Sequence, residues 1–358
     1  MKIHSRTLPC LLVFAAIIAT GANGAETPIP LSAPADEVRV TADCSQIVNT
    51  MRGGVGASWH AIENPIVVVN GQSHGGSAWG GHPPADDGPA WQRIYDHADW
   101  LGFDFVRVEI EQRMFEPERG RFTWDTPEMR TLYRILDWCE RRHADVFLQQ
   151  MWSNVAWNAF PEFRDDPVKR VRSGPRSMDD FTDGLAALMK HLTRTKGYTC
   201  IRWLCITNEP AYRWQGWFQQ PPNEPLPLRD GLVAIRRALD RENICVPLSG
   251  PDWTDLPALY PARVDFDEFI GTYDLHSYQP HFDWRSAERD KYSLAEAEQR
   301  LRGLKQWAAE RHKPLFLTEV GTMACGWGAS EPSPATFEAA LKDAELVVRA
   351  STRSTSIR

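Results

Sequence analysis

The chain has 358 residues, of which 42% are hydrophobic, and its formal net charge is −7 at neutral pH. This length accommodates one large domain, since α/β barrels reach about 250 residues or more as a single unit. No run of lysine and arginine interrupts the acidic balance, which argues against nucleic acid or an anionic membrane as a partner and favours a neutral substrate.

Residues 1–25 have the order of a secretory signal peptide. Lys2 and Arg6 precede an apolar run over residues 8–19, and small residues follow it. We therefore predict a secreted or periplasmic protein that has no membrane contact after cleavage. The alternative is an N-terminal hydrophobic anchor that is retained. Residues 26–51 are predicted to form an N-terminal extension that precedes the main domain.

From residue 52 to residue 350, short apolar runs alternate with amphipathic stretches. One of these stretches is a predicted helix in which Thr126 is the cap and Pro127 the first residue. The apolar runs are near-continuous, as expected of parallel strands that are buried on both faces. They cover residues 53–58, 103–110, 145–151, 201–207, 244–249, 271–276 and 314–319.

Strands and helices that alternate at this spacing predict an α/β fold, namely a TIM (β/α)8-type barrel. An open doubly wound sheet is the alternative, and it normally carries a glycine-rich phosphate loop after its first strand. Residues 53–56 are the only candidate for such a loop, and the segment that follows them does not begin a helix.

The C-terminal segment predicts an incomplete barrel. Residues 334–350 have the pattern of a helix, but residues 351–358 are rich in Ser, Thr and Arg and predict a disordered tail. The barrel is therefore expected to lack its eighth strand and helix in this chain, with the edges of its first and seventh strands unpaired. Such a protein is expected to be unstable or weakly active. The alternative is that residues 37–41 fold back into the gap.

Six cysteines remain after cleavage of the signal peptide, and an even number permits disulfides in an exported protein. Cys205 and Cys245, however, lie in apolar runs, where a free thiol acts as a small hydrophobic side chain. A disulfide framework is therefore the less favoured interpretation. No Cys/His spacing resembles a zinc site.

Two glutamates, Glu209 and Glu319, each close an apolar run and so come to the ends of two different strands. Barrel enzymes place their chemistry at that face. Cleavage of a sugar acetal needs two carboxyl groups, one that holds a proton for the leaving oxygen and one that is ionised. A glutamate that stabilises a helix N-terminus is the alternative for Glu209, and a surface charge is the alternative for Glu319.

Tryptophan placement also points to a sugar. Most of the 15 tryptophans fall at predicted strand ends or in the loops that follow. Flat apolar rings at a barrel mouth are suited to the C–H faces of a pyranose. The predicted sugar contacts are Trp59, Trp152, Trp214 and Trp327, and the predicted partner is a polysaccharide or oligosaccharide.

Four motifs together resemble the clan A glycoside hydrolases, and most closely glycoside hydrolase family 5, the cellulase family. They are Asn208-Glu209-Pro210, His276-Ser277-Tyr278, Thr318-Glu319-Val320-Gly321 and Val106-Arg107-Val108. The resemblance covers residues 52–350. It implies that Glu209 is the general acid/base and that Glu319 is the nucleophile.

The same resemblance implies roles for four further residues. Arg107 would hydrogen-bond the nucleophile, Asn208 would bind the sugar hydroxyl beside the anomeric carbon, and His276 with Tyr278 would contact the nucleophile and the reacting ring. From the residues alone, Arg107 could instead pair with Glu109, and His276 could be a satisfied core histidine.

The sequence departs from the family pattern in two places. Where the family places a histidine after the third strand, this chain has Gln149 and the residues that follow it. The tryptophan that the family carries on its eighth strand is not found either. Sister families of the same clan therefore remain open.

The predicted function is a secreted, monomeric, retaining endo-β-glycanase that needs no metal or cofactor. One alternative is an exo-β-glycosidase of the same clan, and another is a non-catalytic carbohydrate-binding barrel. A third is a metal-dependent barrel hydrolase that uses His60, His74 and His82, although no second cluster of ligands supports it.

Overall fold

The computed structural model describes residues 45, 53–77, 80–152, 155–165, 173–209, 228–253, 267–280 and 294–323, together with seven residues between 337 and 348. The chain forms two compact units, Met1–Ile47 and Val48–Arg358. Ser45 alone is described in the first unit, so the fold below is that of the second. The predicted signal peptide lies outside the described residues.

Seven parallel strands form a single sheet whose spatial order follows the chain. A two-stranded antiparallel hairpin lies in the loop after the first of them. In chain order the strands are β1 (Gly56–His60), β2 (Val67–Val69), β3 (Gln72–His74), β4 (Phe105–Glu111), β5 (Asp145–Trp152), β6 (Ile201–Cys205), β7 (Leu248–Trp253), β8 (Ile270–Pro280) and β9 (Leu315–Met323).

Helices separate most of the barrel strands. They are α1 (Gly88–Leu101), α2 (Pro127–Arg142), α3 (Pro161–Arg164), α4 (Met178–Lys190), α5 (Leu228–Arg241) and α6 (Leu294–Glu310). Helix α2 begins as predicted, because the Thr126 hydroxyl accepts a hydrogen bond from the Met129 N–H at 3.1 Å and Pro127 is the first residue. Within the described residues, no helix is both long and apolar enough to cross a membrane.

Over the described residues this architecture is a nearly closed TIM-type (β/α) barrel of seven strands without an eighth unit, which confirms the predicted fold class. Strands β1 and β9 are the two ends of the sheet and are not paired with each other among the described residues. In the C-terminal segment the described residues are helical, as predicted, and the side chains of Phe337, Leu341, Val347 and Val348 are exposed.

The barrel interior has an aromatic floor at the N-terminal ends of the strands. The ring of Phe316 lies 4.7 Å from that of Trp203 and 5.6 Å from that of Phe105, measured between centroids. Successive side chains of a strand point to opposite faces, so the residue two positions beyond Phe105 also points inward. That residue is Arg107, and the aromatic floor therefore lies directly beneath a polar layer.

Strand β7 lies further along the chain than its apolar run predicts. The prediction placed it at residues 244–249, whereas the observed strand is Leu248–Trp253. Ile244 instead belongs to the turn that caps the C-terminus of helix α5. Its N–H donates to the Leu239 carbonyl at 2.9 Å, and Asn243 before it has a φ of 52°. The shift brings Asp252 to the end of the strand.

The cysteines for which the structure gives a placement are free thiols, namely Cys139, Cys200, Cys205 and Cys245. Cys205 is buried in β6, as its apolar surroundings predicted, whereas Cys245 is exposed. Cys44 and Cys325 lie outside the described residues.

Candidate active site

Polar side chains converge at the C-terminal ends of the barrel strands, the edge where parallel barrels carry their chemistry. Each barrel strand from β4 onward contributes one or two of these side chains. They are Arg107 and Glu109 on β4, Gln149 on β5, Asn208 and Glu209 after β6, Asp252 on β7, His276 on β8 and Glu319 on β9.

Arg107 is the buried cation of this site, with 1% of its side chain exposed. Its Nη1 lies 2.7 Å from Glu319 Oε1 and 2.5 Å from Glu109 Oε1, so it pairs with the predicted nucleophile and with its neighbour at once. Burial alone would lower the pKa of Arg107, but the two carboxylates outweigh it and raise that pKa. Arg107 also lowers the pKa of Glu109 against the opposing effect of burial.

Glu209 stands on a strained backbone beside its partners. Its φ of 50° is in the left-handed region, which costs an ordinary residue roughly 1–2 kcal/mol. Its N–H donates to Asp252 Oδ2 at 3.2 Å, and this bond helps hold the conformation. Burial raises the pKa of the Glu209 carboxyl, although His276 opposes the rise. Glu209 therefore keeps its proton to a higher pH than a glutamate in water does.

His276 is fully buried between three carboxyl groups. Its Nδ1 lies 2.8 Å from Glu209 Oε1 and 3.3 Å from Glu319 Oε2, while its Nε2 lies 2.8 Å from Asp252 Oδ1. Burial would lower the pKa of His276, but Asp252 and Glu319 outweigh burial and raise that pKa to about 10. At neutral pH the ring therefore carries a proton on both nitrogens, and its Nδ1–H donates to Glu209 Oε1.

Glu209, His276 and Glu319 each place a ligand atom within 4.8 Å of the others, a spacing that could hold a metal ion. A buried Arg107 and an imidazolium at His276 disfavour a cation there. The same spacing suits acid/base chemistry, because one carboxyl group holds its proton by burial and the other forms an ion pair with arginine.

The metal-dependent alternative has no support from the described histidines. His60 pairs with Glu109, and His60, His74 and His82 belong to neither group of described side chains that is close enough to hold a metal. The second such group consists of Cys205, Asp252 and Asp274.

The structure places the predicted sugar-binding aromatics in different surroundings. The ring of Trp59 packs edge-on against Trp138 of α2 at 5.7 Å and against Tyr95 of α1 at 6.4 Å. These contacts favour a packing role over the predicted contact with substrate. Trp152 is the last residue of β5, and Tyr278 lies in β8 opposite Gly321. Trp214 and Trp327 lie outside the described residues.

Sequence reasoning missed the part that Gln149 and Asp252 have in this site. Gln149 Oε1 accepts a hydrogen bond from Arg107 Nε, and its Nε2 donates to Asp252 Oδ2 at 2.6 Å. Gln149 was noted only as a departure from the family pattern. Asp252 was missed because its strand was placed too early, at residues 244–249, which left Asp252 outside the predicted strand.

A family model described as cellulase (glycosyl hydrolase family 5) matches residues 60–347. No curated protein sequence matches the chain.

Among solved structures, the chain is similar to a monomeric β-xylosidase from Caulobacter crescentus, with a TM-score of 0.53 and 12% identity over 85% of this chain and 59% of that one. It is similar to endo-glycoceramidase II from Rhodococcus sp., with a TM-score of 0.52 and 14% identity over 73% and 65% of the two chains. It is also similar to a family 39 glycoside hydrolase from Bacteroides cellulosilyticus, with a TM-score of 0.50 and 15% identity over 76% of this chain and 53% of that one. The matched part spans less than two thirds of each of these proteins, and at these identities the likeness shows the fold alone.

Proposed function

The chain belongs to glycosyl hydrolase family 5, and on that premise we propose that it is a secreted, retaining β-glycoside hydrolase acting within polysaccharide chains. The observation that carries the proposal is the pair of unlike carboxyl groups at the barrel mouth. Glu209 has a raised pKa, Glu319 is paired with Arg107, and oxygens of the two lie within 4.8 Å of each other.

That spacing supports double displacement. Carboxyl groups about 5–5.5 Å apart leave no room for a water molecule between carboxylate and sugar, so one of them attacks the anomeric carbon directly. In the first step Glu319 attacks and Glu209 gives its proton to the leaving oxygen. In the second step Glu209 takes a proton from a water molecule while the water oxygen bonds to the anomeric carbon, so the bond to Glu319 breaks, its carboxylate is restored and the sugar leaves with its configuration retained.

Asn208 is set to hold the sugar. Its Oδ1 accepts hydrogen bonds from Arg107 Nη2 at 3.0 Å and from Gln149 Nε2 at 3.2 Å. Because both donors take the oxygen, the orientation of the amide is fixed and its NH2 group is the one offered to a substrate hydroxyl. This supports the role beside the anomeric carbon that the family resemblance implies.

Two variants assayed on aryl glycosides test the roles of the glutamates. Glu319→Ala should be inactive on every substrate, whereas Glu209→Ala should keep turnover when the leaving group is good enough to depart without a proton. Glu118→Ala, which removes an exposed glutamate, is the matched control and should leave turnover unchanged. Equal losses of Glu209→Ala on good and poor leaving groups would contradict the assignment, as would an inverted first product in proton NMR.

The sequences of the loops after β1 and β6 bear on whether the enzyme cleaves within a polysaccharide chain or at its end. In the sequence, segments 64–89 and 211–227 are long and carry Trp79, Trp214 and Trp217, a composition that favours a walled cleft, and Trp79 and residues 211–227 lie outside the described residues. A cleft admits a chain, and we therefore favour endo cleavage, with exo-β-glycosidase activity as the second candidate. Product sizes from a defined oligosaccharide decide between them, since single sugars released from one end would favour the second. Binding of polysaccharide without any turnover would favour a non-catalytic barrel.

A further inference from the structure

Asp252 occupies an unusual backbone position at the end of β7. Strands β7 and β8 pair Pro251 with Asp274 and then Trp253 with Leu275, so Asp252 is an extra residue in the ladder. Its φ is 60°, in the left-handed region, and its side chain is fully buried. A bulge of this kind turns a side chain away from the regular alternation of the strand, often beside an active site.

The carboxylate that this bulge turns inward contacts three parts of the site. Oδ1 lies 2.8 Å from His276 Nε2, and Oδ2 accepts hydrogen bonds from Gln149 Nε2 at 2.6 Å and from the Glu209 N–H at 3.2 Å. Gln149 in turn accepts from Arg107 Nε. The buried Asp252 carboxylate thus binds the backbone of Glu209. It also contacts His276 directly and Arg107 through Gln149, and both of those side chains contact Glu319.

We propose that Asp252 is a positioning residue that keeps His276 protonated on both nitrogens, so that Nδ1–H of that ring points at both catalytic glutamates. The inference deepens the proposed function, on which it rests. Asp252 Oδ1 lies 2.8 Å from Nε2 and favours a proton on that nitrogen, so a neutral ring would turn the Nδ1 lone pair toward Glu209 and Glu319, where it would face carboxyl oxygens. A ring protonated at both nitrogens removes that conflict and donates to Glu209 Oε1 at 2.8 Å.

Charged groups from every neighbouring strand act on His276. Asp252 and Glu319 favour the imidazolium most strongly, and Glu209 adds a hydrogen bond. Asp274 and Glu109 also interact with the ring. Asp252 is the carboxylate that contacts Nε2, so removing its charge should affect His276 more than removing the charge of Asp274 would.

The test is nitrogen-15 NMR of the histidine rings, with no substrate present. In the unmodified protein both nitrogens of His276 should be protonated from pH 6 to pH 8. In Asp252→Asn the pKa of His276 should fall by more than one unit, and kcat should fall roughly 100-fold, as expected when catalytic groups are misplaced by about 1 Å. Asp274→Asn is the matched control, because Asp274 is equally buried but bonds to the Asp252 backbone N–H instead of the ring.

Several outcomes would overturn the proposal. A neutral His276 in the unmodified protein at pH 7 would do so even if Asp252→Asn failed to fold. An unchanged His276 titration in Asp252→Asn, or an equal fall in Asp274→Asn, would make Asp252 merely structural. The histidine spectra do not depend on turnover, so they still decide the matter if the protein proves not to hydrolyse glycosides.

Discussion

Replacing Arg107 by methionine should destabilise the protein most strongly near neutral pH. The substitution keeps most of the side-chain volume and removes the cation that pairs with Glu109 and Glu319 at 2.5 and 2.7 Å. Glu109 is only 1% exposed, so its carboxylate would be left buried without the arginine, its strongest ionic partner, and with His60 as its remaining contact. Breaking a buried pair in this way costs about 3–5 kcal/mol. At about 2–4 °C per kcal/mol, the melting temperature should fall by about 10 °C.

The pH dependence of this loss distinguishes electrostatics from packing. Arg107 holds the pKa of Glu109 below 4.5, so the pair stabilises the folded state above that pH and loses its effect as the pH falls through the lowered pKa. The difference between the two proteins should therefore be full at pH 7 and shrink as the pH falls toward the lowered pKa of Glu109, below which that carboxyl group is protonated in both.

The assay is urea unfolding of both proteins at several pH values. Arg119→Met is the control, since it removes an exposed arginine that pairs with Asp180 and should cost less than about 1 kcal/mol. A loss for Arg107→Met that is the same at pH 4 and pH 7, or one no larger than the control shows, would refute the reasoning.

Three further predictions concern the fold. Thr126→Val keeps the size of the side chain but removes the hydroxyl that caps α2 and donates to the Met114 carbonyl, so the free energy of unfolding should fall by about 1–2 kcal/mol; no change in urea unfolding would contradict the cap. Phe316→Ala should cost about 3–5 kcal/mol because it empties the centre of the aromatic floor. A loss below about 1 kcal/mol would mean that the floor can collapse around the gap. Iodoacetamide should label Cys245 in the folded protein but spare Cys139, which is buried and whose thiol has its pKa raised to about 12 by burial; mass spectrometry of the peptides measures this, and equal labelling of both would contradict the burial.

The sequence by itself determined the barrel, because the patterns that specify it are local. Each of these patterns lies within a few residues of sequence, whether it is an apolar run, the Thr126-Pro127 helix start or a glutamate at a strand end. The pairing order of the seven strands followed from these patterns, since right-handed crossovers place consecutive parallel strands side by side. Arg107, Asn208 and His276 were also predicted, through short motifs that resemble those of the family.

Only the tertiary structure decided what holds the two glutamates. Asp252 enters the site through a bulge at the end of β7, and no local pattern specifies a bulge or the side chain that it turns inward. The contacts of Gln149 with Arg107 and Asp252 join three strands that are distant in sequence. The packing of Trp59 against α1 and α2 likewise depends on which face of β1 it occupies. Burial and charge then act on the assembled group, since the pKa of His276 is set by carboxylates that only the closed sheet brings together.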